Sequence, residues 1–303
     1  MILAASLGAA QAEVTLSGSA RMGVIDNFGA DNTGFTSRAR VEFTLSGETD
    51  GGLSFGASFR ADNAAGANSG TAGSVFISGG FGKLSMGDVD GAANAALGQV
   101  DGVGLTGLSD LNELTYLSNG GSDFDGDGNI FDSNETVDPS ALYTYSAGDL
   151  SVFVSSTNPS DNLDLAVAVG AKYTFGNLSV AAAFENNNDQ DSAPSDIDNV
   201  MIGVTGTFGA VTAKAIYGQA DSLGVTADQI ALSLTYTADA LSATAFYADD
   251  SELSNLPSDI TAGSAEAYGI GASYDLGGGA KVVGGYVKIQ TADTSAVDLG
   301  VSF

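Results

Sequence analysis

The sharpest chemical motif in the sequence is a run of alternating acids at residues 123–127, followed by Gly128. Alternate acids place carboxylates on one side of a turning backbone, and a glycine at the sixth position permits the bend of a calcium-binding loop. Ile130 fits this pattern, but the twelfth position is Asn134 and the acid is displaced to Glu135. We therefore predict a structural calcium site, and the alternative is an acidic loop that binds no ion. The candidate ligands are Asp123, Asp125, Asp127, Asn129, Asp132 and Glu135.

The rest of the composition argues against catalysis. The 303-residue chain has no Cys and no His, which excludes cysteine nucleophiles and thiolate metal sites and removes the commonest general base. The many carboxylates are scattered over predicted loops, so a paired-carboxylate hydrolase is not indicated. The formal net charge of −28, from 37 acids and 9 bases, repels nucleic acid and attracts cations. We predict a protein that is not an enzyme and binds no nucleic acid.

The elements that carry these residues are predicted to be β-strands. Apolar residues alternate with small or polar ones over most of the chain, as in 53–61 and 163–175, and this period of two is typical of strands. Short Gly- or Asp-bearing turns follow aromatic strand ends, and longer polar segments join the opposite ends. The pattern predicts an all-β, antiparallel up-and-down barrel of about sixteen strands. The strands are expected to begin near Val14, Phe35, Gly52, Gly73, Lys83, Ser140, Leu150, Leu163, Leu178, Ile197, Val211, Ala227, Ala240, Ala265, Ala280 and Thr294.

The distribution of charge between the two strand faces favours a transmembrane barrel over a soluble sandwich. Basic residues lie on the polar parity, whereas the apolar parity is almost free of charge. The polar face is otherwise rich in Gly, Ala, Ser and Thr, which suits a wide aqueous lumen with the apolar face turned to lipid. Nowhere do about 18 consecutive apolar residues occur, as a spanning helix requires. The basic residues assigned to the lumen face are Arg21, Arg38, Arg40, Arg60, Lys83, Lys172, Lys214 and Lys288.

One segment, residues 88–139, lacks the strand pattern and carries eleven acids. A structureless segment of this length is usually functional or disordered. Apolar residues spaced from Ala95 to Leu114 indicate that its first half packs against something. We expect this third loop to fold into the lumen, so that its acids oppose the basic wall at the narrowest point of the pore; the alternative is a solvated external loop. The candidate constriction residues are Arg21, Arg38, Arg40, Arg60, Lys83, Asp88, Asp101, Asp110 and Glu113.

The two chain ends carry signals of export. Residues 1–12 are apolar and small, and Ala10-Gln11-Ala12 fits a cleavage site, so we predict the remnant of a signal peptide before a barrel of residues 13–303. The alternative is an N-terminal extension of the first strand. At the other end, Val297, Leu299, Val301 and Phe303 share the lipid-facing parity, and a terminal aromatic closes the last strand.

Several segments also carry a family resemblance: Glu13–Gly18, Ala20–Val24, Ser37–Val41, Leu53–Phe59, Phe81–Lys83, Met86–Asp88, Leu142–Gly148, Ala171–Asn177 and Gly271–Gly279. On these segments the chain resembles the general porins of Rhodobacter-type alphaproteobacteria. The resemblance implies a sixteen-stranded homotrimeric barrel whose third loop folds inward opposite a basic wall. Arg21, Arg38, Arg40 and Arg60 match the wall side, and Asp88 lies in a matching motif. Asp101, Asp110 and Glu113 are placed on the loop by position alone.

We therefore expect an outer-membrane diffusion porin that forms a weakly cation-selective channel for small hydrophilic solutes and ions. Its surroundings are then outer-membrane lipid and lipopolysaccharide. Two alternatives remain at this point. One is a secreted calcium-binding structural or adhesive β-protein, and the other is a substrate-specific outer-membrane channel of the same fold.

Overall fold

The structure, a computed structural model, describes residues 13–29, 33–63, 73–119, 140–157, 164–189, 196–256 and 265–303. The predicted signal remnant and the predicted calcium motif lie outside these ranges. The strands are β1 (Glu13–Asp26), β2 (Gly34–Glu48), β3 (Ser54–Asp62), β4 (Ser74–Gly79), β5 (Gly82–Gly87), β6 (Ser140–Ala147), β7 (Leu150–Ser156), β8 (Asp164–Phe175), β9 (Leu178–Asp189), β10 (Ile197–Phe208), β11 (Val211–Ser222), β12 (Val225–Ala238), β13 (Leu241–Asp249), β14 (Glu266–Gly277), β15 (Ala280–Ile289) and β16 (Thr294–Ser302). A helix, α1 (Ala92–Leu97), and two 3-10 turns, Leu108–Asp110 and Ser251–Asn255, lie between strands.

The sixteen strands form one closed barrel in which each strand pairs with its sequence neighbours and β1 pairs with β16. All pairs are antiparallel, and the closing pair sets Met22 opposite Val301. The predicted strand starts agree with the observed ones to within two residues. The prediction of an up-and-down barrel is confirmed, because alternation of period two specifies both the strand and the face that each residue takes.

The outer face of the barrel is apolar. Leu16, Ile202 and Leu299 are 66%, 56% and 55% exposed, and every strand except β15 contributes large apolar side chains that are more than a third exposed. An apolar surface that runs around the whole barrel is far larger than the patches that water-soluble monomers expose. The residues of opposite parity face the interior: those of β1 to β6 are mostly small or polar, and those of β7 to β16 include buried apolar side chains such as Met201, Ile216 and Val287. No helix among the described residues is long and apolar enough to cross a membrane.

The connections at the two ends of the barrel differ, with two exceptions to the predicted pattern: at the long-loop end, the β11–β12 and β15–β16 connections are short. Short turns such as Gly176-Asn177 lie at one end, which is the periplasmic end in barrels of this type. At the other end β11 and β12 are also joined by only two residues, Leu223 and Gly224, with φ of 52° and 82°. Positive φ at both positions is typical of the tight turn that joins two long hairpin strands.

The assignment of Lys288 to the lumen face is wrong. The register pairs Lys288 with Tyr268, which lies on the outer parity, while its neighbour Val287 is fully buried on the inside. The ammonium of Lys288 lies 2.5 Å from a carboxylate oxygen of Asp293 in the β15–β16 connection. A long cationic side chain next to the end of a strand reaches beyond the apolar band, so the outer parity accepts it there.

Candidate functional site

Residues 88–119, which we call the lumen loop, fold against the inner face of the barrel. Helix α1 packs on β8 and β9 through Ala92, Ala93 and Ala96, which are at most 1% exposed. Space for the helix exists because the wall residue beneath it is Gly170: a Cβ there would lie 2.8 Å from the Cβ of Ala96. The amide of Ala92 also donates to the Ser155 hydroxyl at 2.7 Å.

From α1 the lumen loop runs along the wall toward β16. The amide of Asp101 donates to Ser233 on β12 at 3.1 Å. Beyond it, Val103 and Gly104 lie directly on glycines of β14 and β15: a Cβ on Gly285 would lie 2.5 Å from the nitrogen of Gly104. Glycines on the inner parity of these strands thus let the loop backbone approach the wall closely.

The loop then turns back and is stabilised by hydrogen bonds between its own residues. Gln99 and the backbone of Leu114 exchange two hydrogen bonds of 2.8 Å, and the hydroxyl of Tyr116 donates to the carbonyl of Gly98 at 2.9 Å. Leu108 and Leu114 are 1% and 3% exposed. The apolar spacing in this segment therefore predicted packing correctly. The loop and inward side chains of β7 to β16 together form an apolar core inside the barrel.

Four basic residues converge on the part of the wall that this core leaves uncovered. We call Arg21, Arg38, Arg40 and Arg60, on β1 to β3, the arginine wall. The register sets Arg21 opposite Arg38 and Arg40 opposite Asp62. Among the described residues, no hydrogen bond or ion pair joins residues 90–119 to β2, β3, β4 or β5.

The arginine wall is only partly neutralised. Arg40 donates from Nε and Nη2 to the two carboxylate oxygens of Asp62, at 2.8 and 2.9 Å, and Nε of Arg60 lies 3.7 Å from the same carboxylate. Arg21 donates to the carbonyl of Leu105 at 3.1 Å, so it joins the wall to the loop. In the described part of the chain, the buried Nε atoms of Arg38 and Arg60 have no hydrogen-bond partner. Their charges therefore act on the lumen.

The acids of the lumen loop are divided between two environments. Asp110 and Glu113 are exposed, and Asp101 is bound to the wall, where the hydroxyl of Thr235 donates to it at 2.5 Å. Partial burial, with nearby Asp110 and Asp90, raises the pKa of Glu113, and burial and Asp88 raise the pKa of Asp90. The exposed loop acids repel one another, since no described base neutralises them.

Two of the candidate constriction residues lie apart from the others. Lys83 sits one residue from the short turn between β4 and β5, with its ammonium 4.5 Å above the ring of Phe76. Asp88 stands at the root of the loop, where its amide donates to Gly73. The four arginines lie together on β1 to β3, whereas Lys83 lies at the periplasmic end of the lumen; the role of these residues in a constriction stays a prediction.

The sequence analysis did not identify the carboxylates that bind the arginine wall and the lumen loop. Asp62 neutralises part of the arginine wall, and Asp298, Glu185 and Asp250 accept hydrogen bonds from the lumen loop. Asp298 offered a signal, because it is the one charged residue of β16 and lies on the inner parity. Within the described ranges no three acids are grouped to hold a metal ion. The predicted calcium ligands fall in 120–139, outside those ranges.

A closed sixteen-stranded barrel with an apolar outer face, a polar lumen and an internal loop defines a channel of the bacterial outer membrane. The sequence model of the Gram-negative porin family matches residues 1–294, and the chain belongs to that family. It is similar to a porin of Rhodobacter capsulatus, at 39% identity over 96% of this chain and 99% of that protein. A porin of Fuscovulum blasticum is 26% identical over the same shares.

Solved structures agree with this assignment. One porin structure matches with a TM-score of 0.77 and 36% identity, covering 96% of this chain and 99% of that one. A Rhodopseudomonas blastica porin variant matches with a TM-score of 0.69 at 24% identity, which supports the fold alone. The chain is therefore an outer-membrane diffusion porin and not an enzyme. The secreted adhesive alternative is thereby excluded.

Proposed function

We propose that ions and small hydrophilic solutes pass between the arginine wall and the exposed acids of the lumen loop, with a weak preference for cations. The observation that carries this proposal is the separation of charge across the lumen. Arg38 and Arg60 on one side and Asp110 and Glu113 on the other form no ion pair with each other. Charges of opposite sign that are not paired with each other across a narrow aqueous passage set a transverse field and an ion preference.

The cation preference follows from the balance of charge around this passage. The chain carries 37 acids against 9 bases. At the loop end of the described barrel Lys288 faces outward and is paired with Asp293. A cation that approaches from this end therefore meets a negative potential before it reaches the arginine wall.

Reversal potentials of the channel in a planar bilayer under a potassium chloride gradient test this proposal. Asp110→Asn and Glu113→Gln, combined, should reduce cation preference or convert it to anion preference. Asp221→Asn is the matched control, because Asp221 lies on the outer parity of β11 and its removal should leave the reversal potential unchanged. Equal reversal potentials for the wild type and the double variant are incompatible with a passage beside these acids.

We also propose that the barrel is a homotrimer. The family resemblance suggests it, and the lengths of the strands support it. β4 and β5 have six residues each, whereas a strand needs about 9–11 residues to cross a bilayer. Nearby, the rings of Phe43 and Phe59 stack at 4.8 Å on the outer parity. Strands too short to cross a bilayer, with an apolar outer face, are suited to contact with other protein rather than lipid. Native mass spectrometry in detergent measures the number of chains in the assembly.

Calcium binding at Asp123, Asp125, Asp127, Asn129, Asp132 and Glu135 is proposed as a structural feature of the same loop region, on the alternating acids and Gly128. The ion would offset repulsion between carboxylates and has no role in the transport step. Contacts with lipopolysaccharide are proposed for the outer face, on the basis of the outer-membrane location.

A further inference from the structure

Three buried carboxylates on the barrel wall accept hydrogen bonds from the lumen loop. They are Glu185 on β9, Asp250 after β13 and Asp298 on β16, and they are 0%, 5% and 2% exposed. Buried carboxylates are normally paired with a base, since desolvation strongly disfavours an isolated charge. None of the three has a Lys or Arg within ion-pair distance in the described part of the chain. Their partners are hydrogen-bond donors, mostly from the loop.

Asp298 fixes the part of the lumen loop that follows α1 and lies nearest to the arginine wall. Its Oδ1 accepts the amide of Leu105 at 2.9 Å, and its Oδ2 accepts both the amide and the hydroxyl of Thr106 at 2.7 Å. The adjacent carbonyl of Leu105 accepts Arg21 at 3.1 Å. This arrangement fixes the loop directly beside the arginine wall, so the position of Asp298 determines how far the loop extends toward it.

Glu185 fixes the last part of the lumen loop, where the chain runs back along the wall. It accepts the amides of Leu117 and Ser118 at 3.2 and 3.1 Å and the hydroxyl of Ser118 at 2.7 Å. A fourth donor is the side-chain amide of Asn199 on β10, at 3.1 Å. Four donors from two elements satisfy the carboxylate in the absence of a base.

Asp250 provides the third attachment. One oxygen accepts the hydroxyl of Thr115 at 2.8 Å and the other accepts the amide of Ala265 at 2.9 Å. Burial raises its pKa, and the neighbouring Asp249 raises it further. Gln229 strengthens the attachment by donating to the carbonyl of Thr115 at 3.1 Å.

We propose that Glu185, Asp250 and Asp298 form an acid-sensitive latch: ionised, they hold the lumen loop against the wall, and protonated, they release it into the passage. An ionised carboxylate only accepts hydrogen bonds, whereas a protonated one carries a donor of its own. That donor faces the backbone amides of Leu105, Thr106, Leu117 and Ser118, which can only donate. Protonation therefore removes attachments and leaves buried donors without acceptors.

The groups that face the latch do not counteract this effect. Tyr116 faces Glu185, Asp249 faces Asp250, and Arg21 lies beside Asp298 through their shared contact with Leu105. Tyr116 stays neutral and Asp249 is acidic, so neither stabilises the ionised state. Arg21 donates to the carbonyl of Leu105 and, among the described residues, forms no ion pair with Asp298.

Single-channel recording of the full-length porin in a planar bilayer tests the latch. The wild type should be steadily open at pH 7 and show frequent brief closures at about pH 4, near the intrinsic pKa of carboxyl groups. Asp298→Asn and Glu185→Gln imitate the protonated side chains. Each should close at least about tenfold more often at pH 7, the factor expected for the loss of one hydrogen bond to a charged group, and each should show a smaller increase in closures at about pH 4 than the wild type, because two carboxylates of the latch remain.

The control variant is Asp221→Asn, which removes an equal charge from the outer parity and should retain the wild-type pH profile. Heat-modifiable migration on gels establishes in parallel that each variant forms a barrel. Variants that form barrels and keep the wild-type closure frequency at both pH values overturn the latch. The latch rests on the proposed passage beside the loop, but different results overturn the two proposals. A wild-type channel without ion preference overturns the passage. The frequency of channel closures, measured for the wild type and the variants at both pH values, decides the latch alone.

Discussion

The inner face of this barrel is divided into two regions with opposite designs. The covered wall, β7 to β16, carries glycines, alanines and buried acceptors on its inner parity, and the lumen loop packs on it. The bare wall, β2 to β5, forms no hydrogen bond or ion pair with residues 90–119 among the described residues and carries Arg38, Arg40 and Arg60. One strand pattern thus serves two purposes: small inner residues make room for protein, and long charged ones border water.

The largest effect is expected where the covered wall is altered. Gly285→Val places a branched side chain where even a Cβ would lie 2.5 Å from Gly104 N. Overpacking of this kind typically costs about 1–3 kcal/mol and here should displace the loop, lowering single-channel conductance severalfold. Thr44→Val on the inner parity of β2 is the control and should have little effect on conductance. Similar conductance changes in both variants would mean that the two walls do not differ as described.

A smaller effect is expected on the bare wall. Asp62→Asn removes the one carboxylate that lies, among the described residues, within ion-pair distance of Arg40 and Arg60. The unbalanced arginines should shift the reversal potential toward anions, with a stability loss of about 1 kcal/mol because both partners remain in contact with solvent. Urea titration of the folded barrel and bilayer recording measure the two quantities. A stronger cation preference in this variant contradicts the account of the arginine wall.

The ion selectivity of the channel should depend on pH, because the acids of the lumen loop can take up protons whereas the arginines of the opposite wall stay charged. Raised pKa values mean that Asp90 and Glu113 take up protons at a higher pH than exposed carboxyls do. As the pH falls, the loop side therefore loses negative charge first, while the arginine wall keeps its charge. Cation preference should decline at mildly acidic pH, and the decline should be weaker in Glu113→Gln. Reversal potentials measured from pH 7 to about pH 4 test this, in a range set by ordinary carboxyl pKa values.

The smallest effect concerns the predicted calcium site. Calcium should raise the melting temperature of the wild-type barrel slightly, because binding to the folded state stabilises it by mass action. Asp125→Asn with Asp127→Asn should abolish that increase, whereas Asp149→Asn, in the short turn between β6 and β7, should not. A melting temperature of the wild type that is independent of calcium excludes a structural site in this region.

Local patterns predicted the features that depend on a single strand. Arg21, Arg38 and Arg60 were placed on the lumen face because parity alone fixes the side of a strand. Lys288 was misplaced, since its apolar neighbours Val287 and Ile289 point inward in this strand. There the covered wall buries apolar residues on the inside, so the inner face is not polar throughout.

The attachments of the loop could not be predicted, because they join residues distant in sequence. Leu105 and Asp298 are separated by 193 positions, and Glu185 and Ser118 by 67. A single acid in a strand shows which face it occupies, but its partner depends on how the loop crosses the lumen. The packing of the loop was predictable from its apolar spacing, whereas the identity of its acceptors was not.

In the function proposed for this porin, ions and small solutes pass between the arginine wall and the lumen loop. The chain contains no Cys, so a single introduced thiol is the only site for a bulky charged thiol reagent. Reaction at Arg60→Cys and, separately, at Glu113→Cys should reduce single-channel conductance markedly, and reaction at Asp221→Cys on the outer face should leave it unchanged. Unaltered conductance after complete labelling at either lumen position would contradict the claim.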